Sequence, residues 1–84
     1  MAEVTIYTTR FCPFCVRAKQ LLKGKNVSFN EIPVDNNPGL REEMTKKAGI
    51  HAVPQIWVGE THVGGCSELM ALESAGSLDA LLQQ

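Results

Sequence analysis

Val4-Thr5-Ile6-Tyr7-Thr8, continued by Thr9-Arg10-Phe11-Cys12-Pro13-Phe14-Cys15 and an apolar-periodic run to Lys23, is the stretch on which the reading of this chain turns. Its first five residues are β-branched or aromatic and read as a strand. From Pro13 to Lys23 the period changes: Phe14, Ala18, Leu21 and Leu22 fall on one face, with Arg17, Lys19 and Lys23 elsewhere. Pro13 stands where a first helical residue belongs, and Gly24 ends the run. A C-x-x-C pair therefore lies where a leading strand gives way to a helix.

Outward from that junction, Val27 to Val34 reads as a second strand, so the chain opens β-α-β. Such a unit implies a right-handed crossover and a parallel strand pair. Asn37-Pro38 starts a second helix with Leu40, Met44 and Ala48 inward, Glu42/Lys46 and Glu43/Lys47 as i,i+4 pairs outward, and Gly49 as its cap. Pro54 to Val58 and Thr61 to Val63 form a hairpin across Gly59-Glu60. Gly64-Gly65 breaks the chain before a third helix, Ser67 to Ala75, with Leu69 and Leu72 read as core. Ser77 is the expected N-cap of a last helix, Leu78 to Leu82. The order βαβαββαα predicts an α/β fold, a four-stranded mixed sheet flanked by helices. Without linker, repeat or low-complexity segment, residues 1–84 are expected to form one domain.

Eight basic against nine acidic residues leave a net charge of -1, which argues against binding to nucleic acid or an anionic membrane. The most apolar stretch, Ile50 to Val58, is interrupted by His51, Pro54 and Gln55 and is far shorter than the roughly 20 residues of a membrane span. Met1-Ala2-Glu3-Val4-Thr5 lacks the pattern of a signal peptide. Three cysteines make a poor disulfide framework, so the expected location is the cytoplasm or an equivalent reducing compartment.

The chemistry concentrates at the C-x-x-C. Cys12 is placed where unpaired N–H groups and the positive end of a helix dipole meet its sulfur, which favours the nucleophilic thiolate. Arg10 is a cationic neighbour, and Cys15 lies most of a turn into the helix, within reach of Cys12 but turned inward. The asymmetry casts Cys12 as the attacking thiol and Cys15 as the resolving one. Zinc needs four ligands, and the remaining Cys66, His51 and His62 form no second pair. The two histidines read as surface or hairpin positions, with no third group to make either a catalytic base.

Three motifs taken together, Tyr7 to Cys15, Val53-Pro54-Gln55-Ile56 and Gly64-Gly65-Cys66, resemble those of small dithiol glutaredoxins, members of the thioredoxin-fold family. The likeness covers essentially the whole chain. It implies a thioredoxin-like fold, a redox disulfide between Cys12 and Cys15, a cis peptide at Val53-Pro54, and glutathione as electron donor with no metal. It also implies a glutathione site made of Arg10, Phe14, Val53, Pro54, Gly65, Cys66 and Ser67. A cis proline is energetically tolerated and would present the Val53 N–H and C=O to an extended peptide beside Cys12. A Gly-Gly turn before a helix suits the γ-glutamyl carboxylate.

This chain departs from the family pattern in having Thr9 where a lysine is usual, Phe14 where a tyrosine is usual, and Ser67-Glu68 where two acidic residues are usual. The expected partners are glutathione and glutathionylated or disulfide-containing proteins, met by a monomer. Other readings stay open. One is an iron–sulfur carrier using Cys12 and glutathione at a dimer interface, against which Pro13 argues. A second is a peptide-binding adaptor without activity, and a third is a thioredoxin-like reductase supplied by a flavoprotein.

Overall fold

β1 (Val4–Thr8) runs through the interior of the sheet, bonded on both sides. In the computed structural model, which describes residues 2–84, it pairs in parallel with β2 (Asn30–Pro33) and antiparallel with β3 (Gln55–Val58). β4 (Thr61–Gly64) adds to β3 antiparallel, giving the order β2-β1-β3-β4. The expected α/β architecture and mixed sheet are present. Gly59 takes φ +59, as the first central position of the tight β3–β4 turn requires.

Alternation along the strands divides the core. Val4 and Ile6 of β1, with Ile56 and Val58 of β3, face α1 (Pro13–Gly24), α3 (Cys66–Ser74) and α4 (Leu78–Leu82), where Ala18, Leu22, Leu69 and Leu78 are buried against them. Tyr7 and the half-buried Trp57 face the other way, toward Met44 and Leu40 of α2 (Pro38–Ala48). Asn37 caps α2 by accepting the Leu40 N–H at 3.1 Å, and Gly49 closes it at φ +79.

Four local expectations need correction. The buried stripe of α1 is Cys15, Ala18 and Leu22, while Phe14 is exposed. The second strand starts at Asn30 rather than Val27, because the Val27 N–H is already committed to the Leu22 carbonyl at 3.0 Å and cannot join a ladder. Ser77 has helical backbone angles and makes no side-chain cap, since an N-cap side chain reaches back only from an extended conformation. Glu42 pairs with Lys46 at 3.3 Å, but the Lys47 ammonium lies 5.8 Å over the Trp57 ring instead of meeting Glu43.

Two polar clamps hold α1 in place, one at its C-terminal end and one at its middle. Lys25 donates at 2.8 Å both to Glu73 of α3 and to Asp79 of α4, and these acceptors raise its pKa. Lys19 donates at 2.9 Å to Glu31 of β2, which also accepts the buried Thr8 hydroxyl at 2.8 Å. The Lys19 hydrogen bond holds the Glu31 carboxyl below its ordinary value; partial burial opposes this and the Thr8 hydroxyl adds to it. A carboxyl depressed in this way contributes stability above its unfolded pKa and loses it as pH falls through the folded value. Urea unfolding between about pH 7 and pH 3 should show stability falling with acid, and Glu31→Gln should make that fall shallower.

Candidate active site

β1 ends at Thr8, and a short turn carries the chain to Cys12 at the start of α1. Cys12 is the N-cap residue, with extended angles of φ -127 and ψ 101, and its carbonyl accepts the first helical N–H, from Val16, at 3.1 Å. Its sulfur takes the place that a serine or aspartate oxygen fills in most helices: the Cys15 N–H donates to Cys12 Sγ at 3.1 Å. Pro13 at the first helical position has no N–H to leave unpaired. The Cα atoms of Cys12 and Cys15 are 5.1 Å apart and their sulfurs are paired as a disulfide. Cys12 is 9% exposed and Cys15 1%. Once the pair is reduced, the donor and the helix terminus stabilise negative charge on Cys12.

A second wall comes from the far half of the chain. The Val53–Pro54 peptide is cis, and the Val53 carbonyl oxygen lies 4.0 Å from Cys12 Sγ. Pro54, which has no N–H to donate to the ladder, stands just before β3 rather than within it. Opposite lies the Gly64-Gly65 turn. Gly64 adopts φ +114, and a Cβ there would meet Glu68 at 2.9 Å. A Cβ on Gly65 would come within 3.3 Å of the Pro54 carbonyl, so a larger residue would push the two apart by a few tenths of an ångström. α3 starts at Cys66, and the Gly65 N–H at its cap donates to Glu68 Oε1 at 2.7 Å. Of the N–H groups proposed at this terminus, that one is occupied by the chain's own carboxylate.

Six of the residues singled out in the sequence, Phe14, Val53, Pro54, Gly65, Cys66 and Ser67, line one shallow cleft of about 180 Å³ beside Cys12. Phe14 is 56% exposed there, and Ser67 is exposed while Cys66 is buried. Arg10 is the exception, being exposed on the turn and absent from the cleft wall. Larger clefts of about 560 and 620 Å³ lie along the N-terminal part of α2 and between β4, α3 and α4, and neither includes Cys12 or Cys15. Among the described residues no cluster of three or more His, Cys, Asp or Glu is placed to hold a metal ion, and no helix is long and apolar enough to cross a membrane.

Some contributors were not foreseen. Arg41 donates from Nη2 to the His51 carbonyl at 3.1 Å, tying α2 to the segment that leads into Val53. Helical periodicity alone gives no sign of that reach. Ile50 adds an apolar side chain, 51% exposed, to the cleft wall. Gln55, a polar residue within an apolar strand, is 1% exposed, and that interruption is a signal the sequence does carry.

The glutaredoxin family model matches residues 4–63. The chain belongs to the glutaredoxin family. A glutaredoxin of Pseudomonas aeruginosa is 63% identical over 82 residues, covering 98% of each chain. The solution structure of a Brucella melitensis glutaredoxin superposes with a TM-score of 0.87 at 51% identity, over 98% of this chain and 89% of that one. A buckwheat glutaredoxin crystallised as its glutathione complex shares the fold, at a TM-score of 0.89 and 22% identity, over 98% of this chain and 77% of that one. Glutaredoxins are thiol–disulfide oxidoreductases with a thioredoxin fold, and Cys12-Pro13-Phe14-Cys15 is the dithiol motif of this one. In the reduced protein at about pH 6, a brief iodoacetamide pulse read by mass spectrometry should label Cys12 well before Cys15 or Cys66. Equal labelling of the three would show that the helix terminus does not activate Cys12.

Proposed function

We propose that this glutaredoxin uses glutathione to reduce protein–glutathione mixed disulfides and protein disulfides, with Cys12 as nucleophile and Cys15 as resolving thiol. The observation that carries this reading is the position of Cys12 Sγ, 3.1 Å from a helix N–H donor and 4.0 Å from the Val53 carbonyl. The first contact stabilises the thiolate. The second sets it beside a free stretch of backbone able to pair with the peptide of an incoming disulfide. Glutathione would lie along Phe14, Val53, Pro54, Gly65, Cys66 and Ser67, with Arg10, on the turn outside the cleft wall, as the proposed charged neighbour. That a buckwheat glutaredoxin forms a glutathione complex is in keeping with this choice of donor.

In the proposed cycle the Cys12 thiolate attacks the glutathione sulfur of the mixed disulfide. The S–S bond breaks and the protein thiolate leaves, taking up a proton. A second glutathione thiolate then attacks the glutathione sulfur on Cys12, giving glutathione disulfide and restoring the Cys12 thiolate. With a protein disulfide, Cys12 first joins the substrate through a mixed disulfide. The Cys15 thiol, deprotonated as it reacts, attacks Cys12 Sγ and expels the substrate as a thiol. Two glutathiones reduce the resulting Cys12–Cys15 disulfide. The expected setting is a monomer of residues 1–84, folded as one domain, in the cytoplasm.

Cys15→Ser tests the division of roles. Deglutathionylation measured with a small mixed disulfide should persist, because external glutathione resolves the intermediate. Reduction of protein disulfides should fall sharply, since the internal thiol acts at an effective concentration no external one matches. Cys12→Ser should abolish both. Loss of deglutathionylation in Cys15→Ser would instead point to a strictly dithiol mechanism.

Ser67 stands exposed at the cleft, at the position where the family pattern implies an acidic residue. Ser67→Asp should lower the apparent KM for glutathione about threefold by adding a charge-assisted contact to its ammonium group. An unchanged or raised KM would mean that the γ-glutamyl end lies elsewhere.

A further inference from the structure

Gln55 is a fully buried amide whose two ends are both engaged. Its Nε2 donates to the Ala52 carbonyl at 3.0 Å, and its Oε1 lies 2.7 Å from His62 Nε2. A carbonyl only accepts, so the amide can face Ala52 only with its nitrogen. Oε1 is then left toward His62, whose Nε2 carries the proton. The His62 ring is held in turn, stacked on Trp57 with centroids 4.6 Å apart and 25° between the planes.

The sheet register explains how these groups meet. Gln55 and Trp57 alternate onto the same face of β3, and His62 is the cross-strand partner of Trp57. A bulge between Ile56 and Trp57 shifts the pairing, so Gly64 rather than Val63 lies opposite Ile56. The contacts run from a stacked pair on the hairpin, through a buried amide, to Ala52, the residue before Val53. Val53 in turn puts its carbonyl 4.0 Å from Cys12 Sγ.

We propose that Gln55 and His62 are positioning residues for thiol–disulfide exchange, holding the Ala52-Val53-Pro54 turn so that the Val53 backbone stays beside Cys12 to receive the peptide of the disulfide substrate. This rests on the reading that glutathione pairs with Val53. The nucleophile itself is fixed separately, by its own helix terminus. Backbone pairing is present in the bound ground state and in the transition state alike, so loosening the turn raises KM and leaves kcat in place.

Three variants test this with the mixed disulfide of glutathione and 2-mercaptoethanol as substrate. Gln55→Met keeps the volume and removes both hydrogen bonds, and should raise KM about three- to tenfold with kcat within about twofold. His62→Ala should raise KM in the same direction by less. His62→Gln retains an N–H donor toward Gln55 and should bring KM back to within about twofold of the parent. Amide order parameters of Ala52 and Val53, read by NMR on the reduced proteins, should drop from a rigid value near 0.85 to about 0.6 in Gln55→Met. Thermal melts monitor folding, and if Gln55→Met does not fold, His62→Ala carries the test alone. An unchanged KM together with unchanged order parameters overturns the proposal, and His62→Gln behaving like His62→Ala overturns the part assigned to His62. A parent protein that does not saturate with the glutathione substrate would defeat the glutathione reading, while the order parameters would still decide whether the amide braces the turn.

Discussion

The bond on which the site depends is the one from the Cys15 N–H to Cys12 Sγ, 3.1 Å long, because it makes a reactive sulfur the cap of a helix. A helix leaves its first N–H groups unpaired and must find acceptors for them. Here the acceptor is the sulfur proposed as nucleophile, so one contact both caps the helix and places a donor where it would stabilise a thiolate. For that contact to persist α1 must not slide. Ala18 and Leu22 are buried in the core, and Lys25 is locked between α3 and α4 at the far end. The Lys19–Glu31–Thr8 network joins the same helix to β2 and to the last residue of β1. The strand that delivers Cys12 and the helix that Cys12 caps are thereby held as one body.

The second wall is assembled by close approach. Val53 and Pro54 come from the entry to β3, Gly65 and Cys66 from the exit of β4, and Gly65 lets the two pack a few tenths of an ångström closer than a side chain would. The same economy of space accounts for Gly64, whose left-handed backbone leaves room for the Glu68 side chain to fold back onto the Gly65 N–H. Both walls of the cleft are thus hydrogen-bonded to themselves before any ligand arrives. A site built so needs little ordering on binding, and ordering is a large part of what binding usually costs.

The fold was legible where local chemistry and periodicity agreed. β1 and α4 match their expected bounds, α1 and α2 carry the proline starts and glycine ends that the sequence displays, and the β3–β4 turn falls on Gly59-Glu60. Legibility failed where a specific contact in the folded chain overrode a local preference. Val27 is β-branched, yet its N–H belongs to the Leu22 carbonyl, and Lys47 prefers the face of Trp57 to Glu43. Phe14 has an apolar side chain at a helical position, which by periodicity belongs to the buried face, but the helix turns Cys15 inward and leaves Phe14 outside. Motifs marked the cleft, in that six of the residues they single out line it. Arg41 and the Gln55–His62 pair were not, because their roles come from which backbone carbonyl or side chain lies across a loop, and spacing along the chain carries no record of that.

Burial separates two cysteines of identical chemistry, in the sense that the proposed division of roles requires. Cys15 is on the inner stripe of α1 with Ala18 and Leu22, and Cys12 sits at the rim, so an incoming thiol or disulfide meets Cys12 first. The rim is also where the chain leaves large apolar side chains uncovered: Phe11 at 89%, Phe14 at 56%, Val16 at 45% and Ile50 at 51%. Three of these lie within the Phe11–Val16 segment that holds both cysteines, and the fourth lines the cleft. A small domain with a limited core has every energetic reason to bury such residues. Among the described residues the exposed large apolar side chains thus gather on the cysteine segment and the cleft, which is where the proposed exchange with disulfide-bearing proteins would take place.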